Sequence, residues 1–105
     1  MANYLLVYHR GGMPETDEEG ARVLAAWGEW MGGLGAAMLD GGNPVGQAAT
    51  VGAGGSVESG GGPNPVTGYT IVTAESLDAA VAMVTGCPIL DSGGTVEVCE
   101  TFDAM

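Results

Sequence analysis

The chain has 105 residues, the size of one domain, and residues 1–105 are expected to form a single unit whose core needs neither disulfides nor a metal. Thirteen acidic residues stand against two arginines and no lysine, a net charge of −11; such a surface repels phosphate backbones and anionic lipid headgroups, which excludes nucleic acid and membrane surfaces as partners. Hydrophobic residues make up 46% of the chain, which excludes wholesale disorder.

Residues 3–9, Asn-Tyr-Leu-Leu-Val-Tyr-His, read as a first strand. Tyr4, Leu6 and Tyr8 point one way, Leu5, Val7 and His9 the other. Both sets are apolar, so both faces of the sheet are expected to be covered. A loop follows, and Thr16 then starts a helix with Asp17, Glu18 and Glu19 in its first turn. The Thr16 hydroxyl and the Glu19 side chain have the capping-box spacing, and the acids suit the positive end of the helix dipole. Val23, Leu24, Trp27, Trp30, Met31 and Leu34 recur at steps of three and four and fill an arc of about 120°, a core-facing stripe. Gly28, Gly32 and Gly35 flank that stripe, at about 1 kcal/mol each in helix propensity. Two explanations stay open: a helix that frays after Met31, or close approach by a neighbouring backbone.

Residues 36–40 lead out of the helix, and Gly41-Gly42-Asn43-Pro44 turns. Residues 45–51 read as a second strand, with a short piece at 56–59 beyond a hairpin. Many of the 20 glycines cluster at 52–62, read as a loose connection. Residues 68–73 form a third strand, with Tyr69, Ile71 and Thr73 on one face. Ser76 is the expected N-cap of a second helix whose stripe is Leu77, Ala80, Val81 and Val84. Gly86 suits the left-handed position that ends a helix, and Pro88 prevents its continuation. Residues 95–100 are the closing strand, with Val96 and Val98 on one face and Thr95, Glu97 and Cys99 on the other. The order, βαββαβ, implies an α+β, ferredoxin-like fold: a four-stranded antiparallel sheet with two helices on one face. Its other face would be bare, and a second subunit's sheet is the economical cover. A homodimer packed sheet to sheet, a dimeric α/β barrel, is therefore expected.

The candidates for chemistry are few. His9 ends the first strand, and histidine is the side chain that titrates near neutrality; with Asp40 to orient it, it would serve as a general base. Asp40 also stands where aspartate commonly bonds the backbone of a turn. Tyr8, Trp27, Trp30 and Tyr69 would wall a ligand pocket, or simply belong to the core. Cys87 follows a helix C-terminus, whose negative dipole end raises a thiol pKa, so a nucleophilic role is not expected. Cys87, Cys99 and the distant His9 match no zinc spacing, so no metal is expected. The glycines at 52–62 match no phosphate loop, and no cofactor is implied. Residues 2–8 are too short and lack the basic start of a signal peptide, and no apolar run reaches the ~18 residues that span a bilayer, so a cytoplasmic protein with reduced cysteines is expected. Three functions remain: a module binding an apolar, neutral-to-cationic small molecule, which we favour; an enzyme doing acid/base chemistry with His9 as base and Asp40 as orienter; and an accessory or structural subunit.

Several motifs together resemble the YCII-related, DGPF-type family: Gly68-Tyr69 with Ser76-Leu77-Asp78-Ala79-Ala80, Gly86-Cys87-Pro88, Gly94-Thr95-Val96-Glu97-Val98, and, in the front half, Trp27-Gly28-Glu29-Trp30-Met31 and Asp40-Gly41-Gly42-Asn43-Pro44. The resemblance spans nearly the whole chain and implies a dimeric α/β barrel of ferredoxin-like subunits. It departs at the family's namesake Asp-Gly-Pro-Phe, where this chain reads Gly61-Gly62-Pro63-Asn64. The family's His–Asp pair does not carry over intact either: only Asp40 matches, because His9 lies at the end of the first strand.

Overall fold

The structure is a computed structural model and describes residues 1–104. The first strand, β1 (Ala2–His9), alternates: Tyr4, Leu6 and Tyr8 are buried, while Leu5 and Val7 are half-buried. The first helix, α1 (Asp17–Leu34), is capped by Thr16, whose Oγ1 accepts the Glu19 N–H at 3.0 Å. The Glu19 carboxylate reaches one residue further back than a capping box requires, accepting the Glu15 N–H at 3.3 Å. The helix does not fray at Met31. It runs through Gly28 and Gly32 to Leu34 and closes on Gly35, whose φ of 55° only glycine adopts readily. Nor does a neighbour approach the glycines: a Cβ on Gly28, Gly32 or Gly35 would meet nothing within 4 Å.

After one 3-10 turn (Gly35–Ala37) the chain forms β2 (Met38–Asp40), and this short piece is the second strand of the sheet. The strand expected at 45–51 is not part of that sheet. Its last residues form β3 (Ala49–Val51), which pairs with β4 (Val57–Ser59) as a separate two-stranded hairpin. Three residues are too few to display alternation, and β2 exists because Met38 and Asp40 pair with Val72 and Ile71 of the long strand β5 (Val66–Ala74).

The second helix, α2 (Leu77–Val84), starts at Ser76, whose Oγ accepts the Ala79 N–H at 3.1 Å. Ala80 and Val84 are its buried residues, with Ala79 and Met83 beside them; Leu77 and Val81 are exposed, so the stripe is rotated from the expected one towards the small side chains. The stop also differs. Thr85 keeps helical angles, the Cys87 N–H bonds the Val84 carbonyl at 3.0 Å, and Pro88 opens a 3-10 turn (Pro88–Ser92). The left-handed glycine comes at the end of that turn, at Gly93 with φ 83°, and not at Gly86. The last strand, β6 (Thr95–Glu100), completes the sheet.

The sheet order is β2-β5-β1-β6 with every neighbouring pair antiparallel, consistent with a ferredoxin-like fold. Both helices pack on the face that carries Tyr4, Leu6, Tyr8 and Val72. The opposite face is apolar at its centre. Register places Leu5 between Ile71 and Cys99, and Val7 between Tyr69 and Glu97, and among the described residues both helices pack on the other face. The molecule is accordingly flat, 43 × 42 × 18 Å.

Candidate functional site

A large hollow lies on the helix side. It is an open cleft of about 980 Å3 between α1 from Asp17 to Met31, the end of β1, the start of β5 and the Gly41–Pro44 turn. A second hollow, about 230 Å3, lies between the two ends of the chain at Ala2, Asn3 and Thr101. It is the smaller by far, and no candidate residue lines it.

Tyr8 forms part of the cleft wall. Its hydroxyl donates to Thr70 Oγ1 at 2.7 Å, and Thr70 in turn donates to the Gly41 carbonyl at 3.0 Å. This relay ties β1, β5 and the turn together and leaves the ring, not the hydroxyl, for a ligand. Burial pushes the Tyr8 phenol up to about 12, against a smaller lowering from the Thr70 hydrogen bond, so it stays protonated. Trp27 meets the Tyr8 ring edge to face at 5.1 Å between centroids, a favourable aromatic geometry, and is half-buried in the wall. Tyr69 stands at the rim, its N–H bonded to the Asn43 carbonyl at 3.3 Å. Trp30, the fourth expected wall, is not part of the cleft. Its indole N–H donates to the Met83 carbonyl at 3.0 Å, and its ring packs against Trp27 and the core.

The spacing-based reading missed Met31, Leu24, Gly68 and the turn glycines as cleft residues. Met31 and Leu24 belong to the apolar stripe of α1 and read as core. Yet no residue of α1 is fully buried, and Leu24 is 75% exposed. Gly68 is legible only in three dimensions: a Cβ there would stand 3.2 Å from the Tyr8 ring. Gly42 has φ 72°, and a Cβ would fall on the Tyr69 carbonyl. Among the described residues the charged side chains lining the cleft are Glu15 and Asp17, both acidic.

His9 and Asp40 are not brought together. Asp40 is exposed on the edge strand β2, and its Oδ1 accepts the Gly42 N–H at 2.9 Å within its own turn. His9 pairs with Val66, and Asp40 with Ile71, five residues along β5; that spacing is roughly 16 Å at the ~3.3 Å rise of a strand. The partner of His9 is Glu97 of β6, whose Oε1 accepts from Nε2 at 2.9 Å. Nδ1 donates to the Asn64 carbonyl at 3.0 Å. Both partners are acceptors, so both bonds form together only in the doubly protonated ring. His9 is buried, does not line the cleft and holds the 63–65 loop against the sheet.

Cys87 is buried in the core, and burial, its main cause, raises the thiol pKa to about 11. Cys99 is also raised, by desolvation first and then by Glu97. Both cysteines are free thiols. Among the described residues no three His, Cys, Asp or Glu side chains gather as metal ligands, and no helix is long and apolar enough to cross a membrane. Compared with known proteins, the chain matches no family model and no curated sequence.

Proposed function

We propose that the chain is a small-molecule-binding protein of the YCII-related kind, a homodimer whose ligand has an apolar body and a neutral or positively charged end. The observation that carries this reading is the cleft. Its size, about 980 Å3, lies at the upper end of the ~300–1,000 Å3 typical of ligand sites. Trp27, Met31, Leu24 and the Tyr8 ring supply apolar walls, and Glu15 and Asp17 at the start of α1 make the mouth acidic. Anions are repelled there. Binding is favoured over acid/base chemistry because His9 stands outside the cleft, with Asn64 and Glu97 and not Asp40 as its neighbours.

The dimer is supported by area. The chain exposes 7032 Å2, against about 5,400 Å2 expected for a compact monomer of its mass. The radius of gyration, 15.2 Å, likewise exceeds the ~13 Å of a compact chain this long. The uncovered Leu5, Val7 and Ile71 face is where a second sheet would lie, as in the barrel that the family resemblance implies.

The test uses two probes with the same chain below their micelle concentrations, decyltrimethylammonium and decanoate. The cation is expected to raise the melting temperature and quench tryptophan fluorescence, and decanoate to do neither. Ala21→Phe, which fills the exposed cleft side of α1, should weaken the cation at least tenfold. Equal binding of both probes, or an unaffected variant, would overturn the reading. A monomer mass by light scattering at micromolar concentration would remove the dimer.

A further inference from the structure

Residues 43–59 are exposed without exception, although they contain a formed hairpin. β3 and β4 pair in register as Ala49 with Ser59, Thr50 with Glu58 and Val51 with Val57. The base is anchored: the Val45 N–H bonds the Thr67 carbonyl at 3.0 Å, and the Gly60 N–H bonds the Ala48 carbonyl at 2.8 Å. This is a built arm, yet a two-stranded hairpin alone in water is marginally stable at best. Its register sorts the side chains. Ala49, Val51 and Val57 share one face, and Glu58 and Thr50 the other. Val51 and Val57 are 67% and 66% exposed.

Charge indicates what the apolar face meets. Residues 41–74 contain one charged side chain, Glu58, in a chain with 15. A basic partner would be met by acidic residues, whereas this segment avoids charge. Of the chain's 15 charged residues 13 are acidic, so its surface repels a copy of itself wherever charges face one another. A charge-poor segment is what two such copies can bring together, and interface cores are depleted in charge. The surface in excess of a compact monomer is about 1,600 Å2, twice the ~800 Å2 per partner of a standard interface. That leaves area for the arm as well as the sheet face.

We infer that residues 45–62 are an arm that lays its Val51–Val57 face on a second copy of the chain. The inference rests on the homodimer proposed above. The arm springs from Pro44 and Thr67–Gly68, which line the cleft, so the second copy braces the cleft rim, and ligand binding and dimerisation are linked. Sedimentation of the full chain and photo-crosslinking from benzoylphenylalanine at position 57 test this together. The Val51→Asp, Val57→Asp double variant should raise the dimer dissociation constant at least tenfold with an unchanged far-ultraviolet spectrum, while Glu58→Gln on the outer face leaves it alone. The crosslink should join isotopically distinct chains. A wild-type dimer with neither effect overturns the arm and leaves the dimer standing; a monomeric wild type overturns both.

Discussion

Both ring nitrogens of His9 are committed to structure, and its neighbour Arg10 is committed to the same loop. The Arg10 guanidinium reaches Asn64 Oδ1 and the Pro63 carbonyl at 3.3 and 3.1 Å, and the residue holds a left-handed φ of 60°, strained for a side chain with a Cβ. His9→Ala removes the hydrogen bonds to the Asn64 carbonyl and to Glu97, both on exposed residues, a loss of about 0.5–1.5 kcal/mol. It should appear as a lower urea midpoint at constant m, with probe binding in the cleft unchanged; lost binding would return His9 to the site. Gly42→Ala combines a positive φ with collision at the Tyr69 carbonyl. It should cost more than about 1 kcal/mol and weaken cleft binding in parallel, read by thermal melting and the cation titration. Cys87 and Tyr8 are raised to about 11 and about 12, first by burial in each case. Their folded forms hold protons that the unfolded forms release sooner. The stability they contribute is complete below about pH 9 and is lost as pH rises through 12. Melting temperature should fall over that window, and a thiol reagent at pH 8 should leave Cys87 unlabelled until the chain unfolds.

Among the elements, α1 is the one whose sequence and surroundings disagree. It has a sound cap and an apolar stripe, yet none of its residues is fully buried and Gly28, Gly32 and Gly33 face open space. Gly28→Ala and Gly32→Ala should each stabilise the chain by up to about 1 kcal/mol, and Thr16→Ala should cost about 1 kcal/mol, all read by thermal melting. If either alanine destabilised the dimer instead, a second copy would be pressed against that flank. The strands divide by length. β1, β5 and β6 carry six to nine residues, long enough for their runs of β-branched, aromatic and aliphatic side chains to read as strands, and all three are legible. β2 has three residues and was not, because its strand character comes from β5 and not from its own pattern.

For the whole molecule, charge dominates. A net charge of −11 on 105 residues repels itself in the compact state, and salt screens that repulsion over about 10 Å at 0.1 M. Raising sodium chloride from low salt to about 0.5 M should raise the melting temperature and strengthen the proposed dimer; a flat or falling melting curve would show that repulsion contributes little. Decanoate should remain a non-binder at low salt, where the acidic mouth is least screened.

Local rules sufficed wherever the deciding contacts were local. Ser76 and Thr16 cap their helices because each bonds an N–H three residues on, and Tyr4, Leu6 and Tyr8 share a face because strand side chains alternate. The α+β class follows from the order of these elements. Only the tertiary structure decided what depends on residues far apart in the chain. It gave His9 to Glu97, 88 residues away, and left Asp40 to its own turn. It sent Trp30 to the Met83 carbonyl and out of the cleft, and it set Gly68 against the Tyr8 ring in the cleft wall. Spacing along the chain sets which side chains share a face; which faces meet is set by packing, and the candidate site lies where they meet.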